Sequence, residues 1–376
     1  MIIFRIFPVV LLFAVGVACT KKTTGSVSTD GDSACDMHIA LGKLPMTARF
    51  ADDSLSIWCG SLIKGDDGLF HMFYSTWPKR MGWAWVTHSV IKHAVSSSPF
   101  GPFAFRDVVL PVRGAQFWDG LCTHNPTIHR FGEKYYLYYM GNTGDGINPN
   151  TEDLAVEKLN FVHRNNQRIG VAVADSPDGP WTRFDKPIID VAADSTAADA
   201  LVVTNPAIVQ RPDGTFLMIY KAVGKKRPLP FGGPVVHLAA TSESPTGPFV
   251  KHDGEIFTVH GVDFPAEDPY VWFQNNQYFA LLKSMRDSAG ANNPSLVLYN
   301  SPDGITWRRC DKSPVSDRTI QWQDGRSQTF LHLERPQLLF EGDTPYVLVC
   351  AADTLDVHGV RQTFSVQIPI LVSVPK

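Results

Sequence analysis

The sequence predicts an all-β fold, a five-bladed β-propeller with four-stranded antiparallel blades. Two repeated patterns and their period carry this reading. Five stretches open alike: Ser61-Leu62-Ile63, Asn125-Pro126-Thr127-Ile128, Asn205-Pro206-Ala207-Ile208, Asp268-Pro269-Tyr270-Val271 and Arg335-Pro336-Gln337-Leu338. Each leads into an apolar strand, a Gly- or Asn-bearing turn and a second strand. Between Ile63, Ile128, Ile208, Val271 and Leu338 the steps are 65, 80, 63 and 67 residues. That period is too long for a solenoid and suits four-stranded blades. A second hairpin follows in the same units, with a Ser-Pro-x-Gly turn at Ser98-Pro99-Phe100-Gly101, Ser176-Pro177-Asp178-Gly179, Ser244-Pro245-Thr246-Gly247 and Ser301-Pro302-Asp303-Gly304. Pro sets φ for such a turn and Gly takes the positive φ.

The elements follow in chain order. Arg5 is the only charge ahead of a run from Ile6 to Ala18 that is apolar apart from Pro8 and Gly16, and Cys19 follows. Residues 1–19 read as a secretory signal, too short in its apolar core for a membrane span. The Gly16-Val17-Ala18-Cys19 ending resembles a bacterial lipoprotein cleavage site. That resemblance implies export to the periplasm or outer membrane and membrane contact only through a lipid anchor on Cys19. Residues 20–38, rich in Thr, Ser, Gly, Asp and Lys, read as a flexible tether. Residues 39–376 form the propeller domain, and a strand near Ala48 to Ile57 is expected to complete its ring. Strands such as Tyr135–Tyr139 and Phe216–Tyr220 are near-continuous apolar runs, as strands buried on both faces are. Insertions at 142–168 and 223–234 interrupt the second and third repeats, where loops on a rigid scaffold can set selectivity.

Composition narrows the function. Hydrophobic residues make up 44% and charged residues 19%, enough to bury a large core, and the net charge of −3 comes with no basic stripe. Nucleic acid is therefore not an expected partner. Beyond Cys19 the cysteines are Cys35, Cys59, Cys122, Cys310 and Cys350, an odd number with no zinc-type spacing. A disulfide is allowed in an exported chain but cannot be paired from sequence, and most of these thiols are expected to be buried and free.

The repeat with x-Pro-x-aliphatic starts, together with the strings HNPTIHRFGEKYYLYYM, EDPYVWF and ERPQLLF, resembles the five-bladed glycoside hydrolases of family 43. Families 32, 117 and 130 are further relatives. The resemblance spans about residues 45–370. It implies a carbohydrate substrate and a hydrolase removing a terminal sugar with acid assistance. In family 43 an Asp base opens blade one, an Asp tuning the acid opens blade three, and a Glu acid opens blade four. Here Glu267-Asp268-Pro269 matches the acid position, so Glu267 is the expected acid. Asn205 stands where the tuning Asp would be, and Cys59 where the base would be. A non-catalytic carbohydrate-binding propeller is the alternative, with a phosphorylase like those of family 130 ranked below it.

Glycoside hydrolysis usually takes two carboxyl groups about the bond. Asp119 and Glu334 are the candidates for the second, with Asp53 behind them. Adjacent side chains of a strand point to opposite faces, so one of Glu267 and Asp268 is expected to face the pocket and the other the blade. His124, Asn125 and Asn205 stand beside the repeated prolines and are expected near the axis. There His124 could act as acid or base, bind a sugar hydroxyl or ligate an axial cation such as calcium; no other cofactor is expected. Lys221, Lys283 and Arg335 either bind an anionic sugar, a uronate or a sulfate ester, or pair with the inner carboxylates. Trp58, Trp118 and Trp272 are the candidate stacking platforms.

Overall fold

The computed structural model describes residues 35, 37–149, 158–286 and 294–373. The expected signal segment and the expected tether up to residue 34 lie outside the described residues. Among the described residues the chain folds as five antiparallel sheets of four strands, with a fifth short strand paired onto the last of them, and a separate two-stranded sheet of Thr319–Gln321 and Ser327–Thr329. Blade one comprises Leu55–Lys64, Phe70–Pro78, Val90–Ser96 and Ala104–Leu110. Blade two comprises Cys122–Phe131, Lys134–Asn142, Arg168–Ala174 and Thr182–Arg183. Blade three comprises Val202–Gln210, Phe216–Val223, Val235–Ser242 and Val250–Lys251. Blade four comprises Ala266–Gln274, Gln277–Ser284, Ser295–Ser301 and Arg308–Arg309.

Blade five is assembled from both ends of the domain. His332–Glu341, Thr344–Leu355 and Arg361–Ser373 supply three strands, and His38–Leu41 supplies the outermost, with Leu41 opposite Ile370. The expected closing strand near Ala48 to Ile57 is thus corrected. Only Arg49–Phe50 pairs with the final strand, and Ile57 already belongs to the inner strand of blade one. The tether is also shorter than expected, because Cys35 is disulfide-bonded to Cys310, Met37 is buried, and pairing begins at His38. A four-residue strand flanked by polar residues carries too little periodicity to stand out from a linker. Cys59, Cys122 and Cys350 are buried free thiols, as expected for most of the set.

The apolar inner strands bury both faces between neighbouring blades. Ile169 of blade two packs in one cluster with Ile208 and Phe216 of blade three. Leu217 of blade three shares another with Val271 and Leu282 of blade four. At roughly 1.5–3 kcal/mol for each fully buried large apolar side chain, these contacts hold the blades face to face. The turn glycines Gly101, Gly179, Gly247 and Gly304 take positive φ, as the Ser-Pro-x-Gly pattern requires.

The repeated x-Pro start proves to be a β-bulge. In every inner strand the register slips at the same place: Trp58 to Ser61, His124 to Thr127, Thr204 to Ala207, Glu267 to Tyr270 and Glu334 to Gln337. The first bulged residue is left-handed each time, with φ of 54° at Cys59, 54° at Asn125, 52° at Asn205, 58° at Asp268 and 53° at Arg335. Proline at the second bulge position has no N–H to leave unpaired. Blade one has Gly60 there instead, where a Cβ would meet Ser365 Oγ at 2.6 Å.

The five left-handed residues meet at the axis. The Cys59 thiol donates to Asn125 Oδ1 (2.8 Å), Asn125 Nδ2 donates to Asn205 Oδ1, and Asn205 Nδ2 donates to Asp268 Oδ1. Arg335 donates to Asp268 Oδ1 (3.4 Å) and to the Asn125 carbonyl (3.3 Å). Asn and Asp tolerate the left-handed region, whereas a β-branched side chain there is strained by about 1–2 kcal/mol. Stranding a buried donor or acceptor costs roughly a further 1–3 kcal/mol. Asn125→Val should therefore lower unfolding free energy by about 2–4 kcal/mol in denaturant titrations. Asn125→Gly, which loses the bonds but suffers no strain, should lower it by less. Equal losses in the two variants would show that the left-handed backbone costs nothing there.

Candidate functional site

The bulge decides which side chains reach the pocket. A left-handed residue turns its side chain inward, so both members of each pair, the residue before the bulge and the bulged residue, can face the axis. Glu267 and Asp268 accordingly both line the same cavity of about 310 Å³, as do His124 with Asn125 and Glu334 with Arg335. The expected alternation, one facing the pocket and one the blade, is corrected for this reason. Asn205, Lys221, Lys283 and Trp58 line the cavity as well.

The acidic groups are held by lysines. Lys221 pairs with Glu267 Oε1, and Lys283 reaches Glu267 Oε2 (3.3 Å) and Glu334 Oε1 (2.5 Å). One oxygen each from Glu267, Asp268 and Glu334 lie within 4.8 Å of one another. Burial would raise the Glu267 pKa, but Lys221 and Lys283 outweigh it and hold the carboxyl well below its ordinary range. Asp268 moves the other way. Burial first, and then the neighbouring Glu267 charge, push it up to about 6 against the opposing pull of Arg335 and Lys221. Neighbouring carboxylates thus part company: one is fixed as an anion and the other is able to carry a proton near neutrality.

The three cationic side chains already neutralise these oxygens. That donor set fits an ion-pair network rather than the bare oxygen cage calcium takes. His124 does not fit a cation either. Its Nδ1 meets Ser89 Oγ (2.8 Å), its ring lies against Trp77 and Trp85, and burial with Arg335 and Lys221 nearby holds its pKa well down. It is a neutral imidazole able to hydrogen-bond a ligand. The same pairing settles what Lys221, Lys283 and Arg335 do in the resting protein: each is engaged by an inner carboxylate.

Several candidates lie elsewhere. Asp119 is fully buried but outside the cavity, clamped by Arg113 (2.5 Å), Arg183 (3.4 Å) and the Tyr139 hydroxyl (2.7 Å). Its expected approach to the axis is corrected. The Phe117–Gly120 turn bends onto the flank of blade two, where the carboxylate bonds side chains of its second and fourth strands. Trp118 stacks on Tyr139 and donates to the Phe184 carbonyl (3.1 Å), and Trp272 sits in the core between blades four and five. Neither ring lines the cavity, because each packs against its own neighbourhood of apolar side chains. Asp53 is also outside it. The insertions at 142–168 and 223–234 meet each other, with Arg164 donating to the Phe231 carbonyl (2.6 Å) and Asn165 to that of Pro230 (2.9 Å). Among the described residues neither insertion lines the cavity.

A third insertion, in blade one, does so and was not foreseen. Trp77, Trp83 and Trp85 join Trp58 in an indole wall, and Trp83 remains 44% exposed. Three tryptophans within residues 77–85, out of nine in the chain, were the available signal. Blade five adds His332 and Arg361 at the rim. Buried Asp353 orients both, accepting from His332 Nδ1 (2.9 Å) and Arg361 Nε (2.5 Å). The Arg361 guanidinium lies 5.4 Å from the ring centres of both Trp58 and Trp83. Its terminal amino groups donate to no acceptor among the described residues, unlike the three inner cations.

No family model matches the chain, and no curated protein sequence matches it. Solved structures do. A family 117 glycoside hydrolase from the marine bacterium Zobellia galactanivorans superposes with a TM-score of 0.59 at 16% identity, over 90% of this chain and 91% of that one. A thermostable family 43 glycoside hydrolase gives 0.57 at 12% identity, over 87% and 96%. An arabinanase from Bacillus subtilis gives 0.52 at 13%, over 84% and 95%. At such identities the likeness is one of fold, and it covers the whole propeller.

Proposed function

We propose that the protein is a glycoside hydrolase that removes a terminal sugar from an oligosaccharide or polysaccharide. The observation that carries this reading is the divergence of Glu267 and Asp268 beside a third carboxylate in an indole-walled cavity. The shared fold with family 117 and family 43 hydrolases supports it. In this reading Asp268, rather than Glu267, gives the proton to the leaving glycosidic oxygen. Its Oδ1 is taken by Asn205 and Arg335, while Oδ2 accepts from no described side chain. Burial raises Asp268, and Glu267, locked between two lysines, supplies the fixed charge that raises it further. Glu334 has one oxygen on Lys283 and one without a donor among the described residues, so it is the group placed to attack the anomeric carbon. The carboxyl oxygens are far closer than the roughly 6.5–9.5 Å that leaves room for an attacking water, and nearer the roughly 5–5.5 Å of direct carboxylate attack.

The terminal sugar is read as anionic. With Lys221, Lys283 and Arg335 already paired, the free edge of Arg361 beside Trp83 is the group that would receive a uronate carboxylate or a sulfate ester. Binding without turnover is the second reading, favoured by the engagement of both Glu267 oxygens. Export and a lipid anchor at Cys19 complete the proposal. The apolar segment ahead of Cys19 and the Cys35–Cys310 disulfide, a bond that persists in oxidising compartments, support them.

Asp268→Asn keeps an acceptor for Asn205 but has no proton to give. On an oligosaccharide that the unsubstituted protein cleaves with retained anomeric configuration, it should lower kcat by about 10²–10⁴-fold while tryptophan-fluorescence binding is kept. In the unsubstituted protein kcat/KM should fall as pH rises through about 6, where Asp268 loses its proton. Full activity in Asp268→Asn removes it as the acid. Binding across a panel of plant-wall, algal and host oligosaccharides without any product release supports the second reading. Arg361→Gln should weaken binding of uronate-terminated oligosaccharides at least tenfold, about 1.4 kcal/mol, and leave neutral ones unchanged. Equal effects on both would count against an anionic substrate. Expressed in a bacterium fed labelled palmitate, the protein should take up label, and Cys19→Ala should not.

A further inference from the structure

The insertion at 223–234 builds a pocket of its own beside the cavity. Arg227, Pro228, Phe231, Pro234, Asp263 and Phe264 line it, around a volume of about 320 Å³. The loop is held by its own backbone. Gly233 N–H donates to the Gly224 carbonyl (2.8 Å), Gly232 N–H to that of Pro228 (3.0 Å), and Val235 N–H to that of Asp263 (2.8 Å). Gly232, at a φ of 73°, lets the loop press on Leu201, whose Cδ2 an added Cβ would meet at 2.4 Å.

Two cations join this pocket to the cavity. The Lys221 ammonium, paired with Glu267 in the cavity, lies 5.8 Å from the centre of the Phe264 ring. The buried Arg164 guanidinium lies 4.7 Å from the centre of the Phe231 ring and covers one face of it, yet that ring stays 47% exposed. Burial pulls the Arg164 pKa down to about 10, and the Glu267 charge opposes that fall, so the arginine stands within electrostatic reach of the cavity. Position around the axis adds a direction. In a ring of five, blade three stands across from the junction of blades five and one. That junction carries Arg361 and the rings of Trp58 and Trp83, which the proposed function gives to the charged terminal sugar. A chain whose end is held there is aimed at blade three as it leaves the cavity.

We propose that this pocket holds the sugar chain on the leaving-group side of the scissile bond, with Phe231 and Phe264 as stacking faces and the Arg227–Asp263 pair as the hydrogen-bonding edge. The proposal rests on the glycosidase reading and adds to it a preference for longer chains over disaccharides. Aromatic and apolar walls with a few placed polar groups are what a preformed small-molecule site presents. A sugar ring offers the matching surfaces, a C–H face for the aromatic rings and hydroxyls along its edge. Arg227 and Asp263 are joined by two hydrogen bonds, from Nε to Oδ2 (2.7 Å) and from the terminal amino group to Oδ1 (2.9 Å), and each side chain is more than half exposed. So exposed a pair adds little to folding. Its remaining guanidinium N–H groups and carboxylate lone pairs are free to take neighbouring hydroxyls. Because backbone bonds already hold the loop, little ordering cost is left for binding.

The test takes the full chain and the acidic plant-wall, algal and host glycans of the panel, each as a dimer and a tetramer of one linkage. KM is measured for glycans that are cleaved, and Kd by calorimetry for those bound without cleavage. The tetramer value should lie at least tenfold below the dimer value. Phe231→Ala and Arg227→Gln, both exposed positions that the fold should tolerate, should each cut that ratio to below threefold. Phe231→Trp, which keeps a stacking face, should preserve it. A ratio near one in the unsubstituted protein, a ratio untouched by Phe231→Ala and Arg227→Gln, or no glycan bound at all overturns the proposal. A tenfold ratio that both variants remove, on glycans that are bound but never cleaved, upholds the pocket while hydrolysis falls. Cleavage with no length preference does the reverse.

Discussion

Five left-handed residues, one from each blade, are tied side chain to side chain around the axis, and the arrangement of the cavity depends on that ring. Each sits in a bulge that breaks the ladder of its inner strand, and each is fully or almost fully buried. Isolated, such residues would carry strain with nothing to offset it. Joined, they satisfy one another: a thiol donates to an amide, one amide to the next, the second to a carboxylate, and a guanidinium closes the circle. The interblade contacts set the blades at a spacing where these short side chains meet. The ring in turn forms the cavity floor and aims the preceding residues, Trp58, His124, Glu267 and Glu334, into the space above it.

Charge balance above the floor follows from the same five-fold geometry. Lys221 pairs in the ladder with Thr204, and Lys283 with Glu267, so both rise from second strands at matching heights. Each reaches sideways to the carboxylate of the next blade, Lys221 to Glu267 and Lys283 to Glu334. The lysines lower the proton affinity of Glu267, and the Glu267 charge raises that of Asp268. Desolvation makes both effects large, since the same charges in water would be screened. A single peptide bond thus separates two carboxyl groups with opposite tendencies.

Legibility in the sequence tracked how local each feature is. The strands, the hairpin turns and the five starts could be read because period-2 apolar runs and Pro/Gly turns are written in consecutive residues. Glu267, Glu334, His124, Asn125 and Asn205 were placed near the axis by position within the repeat, and the structure puts them in the cavity. Asp119 and Trp118 misled because an acidic or aromatic residue near a blade start has the same sequence appearance whether its turn bends toward the axis or away from it. The indole wall and Arg361 escaped because an insertion and a late strand reach the cavity only through the closure of the ring. His38–Leu41 escaped because its partner strand is more than three hundred residues away.

What the sequence alone determined is the number of blades, the hairpins within them and the identity of the residue at each equivalent start, since these follow from a repeat with local turn chemistry. The tertiary structure decided what those starts do. A proline after the start announces an interruption of the ladder, but the sign of φ at the preceding residue, and with it the direction of the side chain, is set by the partners it finds across the axis. Those partners come from other blades, so the proton affinities and ion pairs of the cavity exist only once the ring has closed. The repeated start is local chemistry; the cavity is a property of five such starts held at one distance.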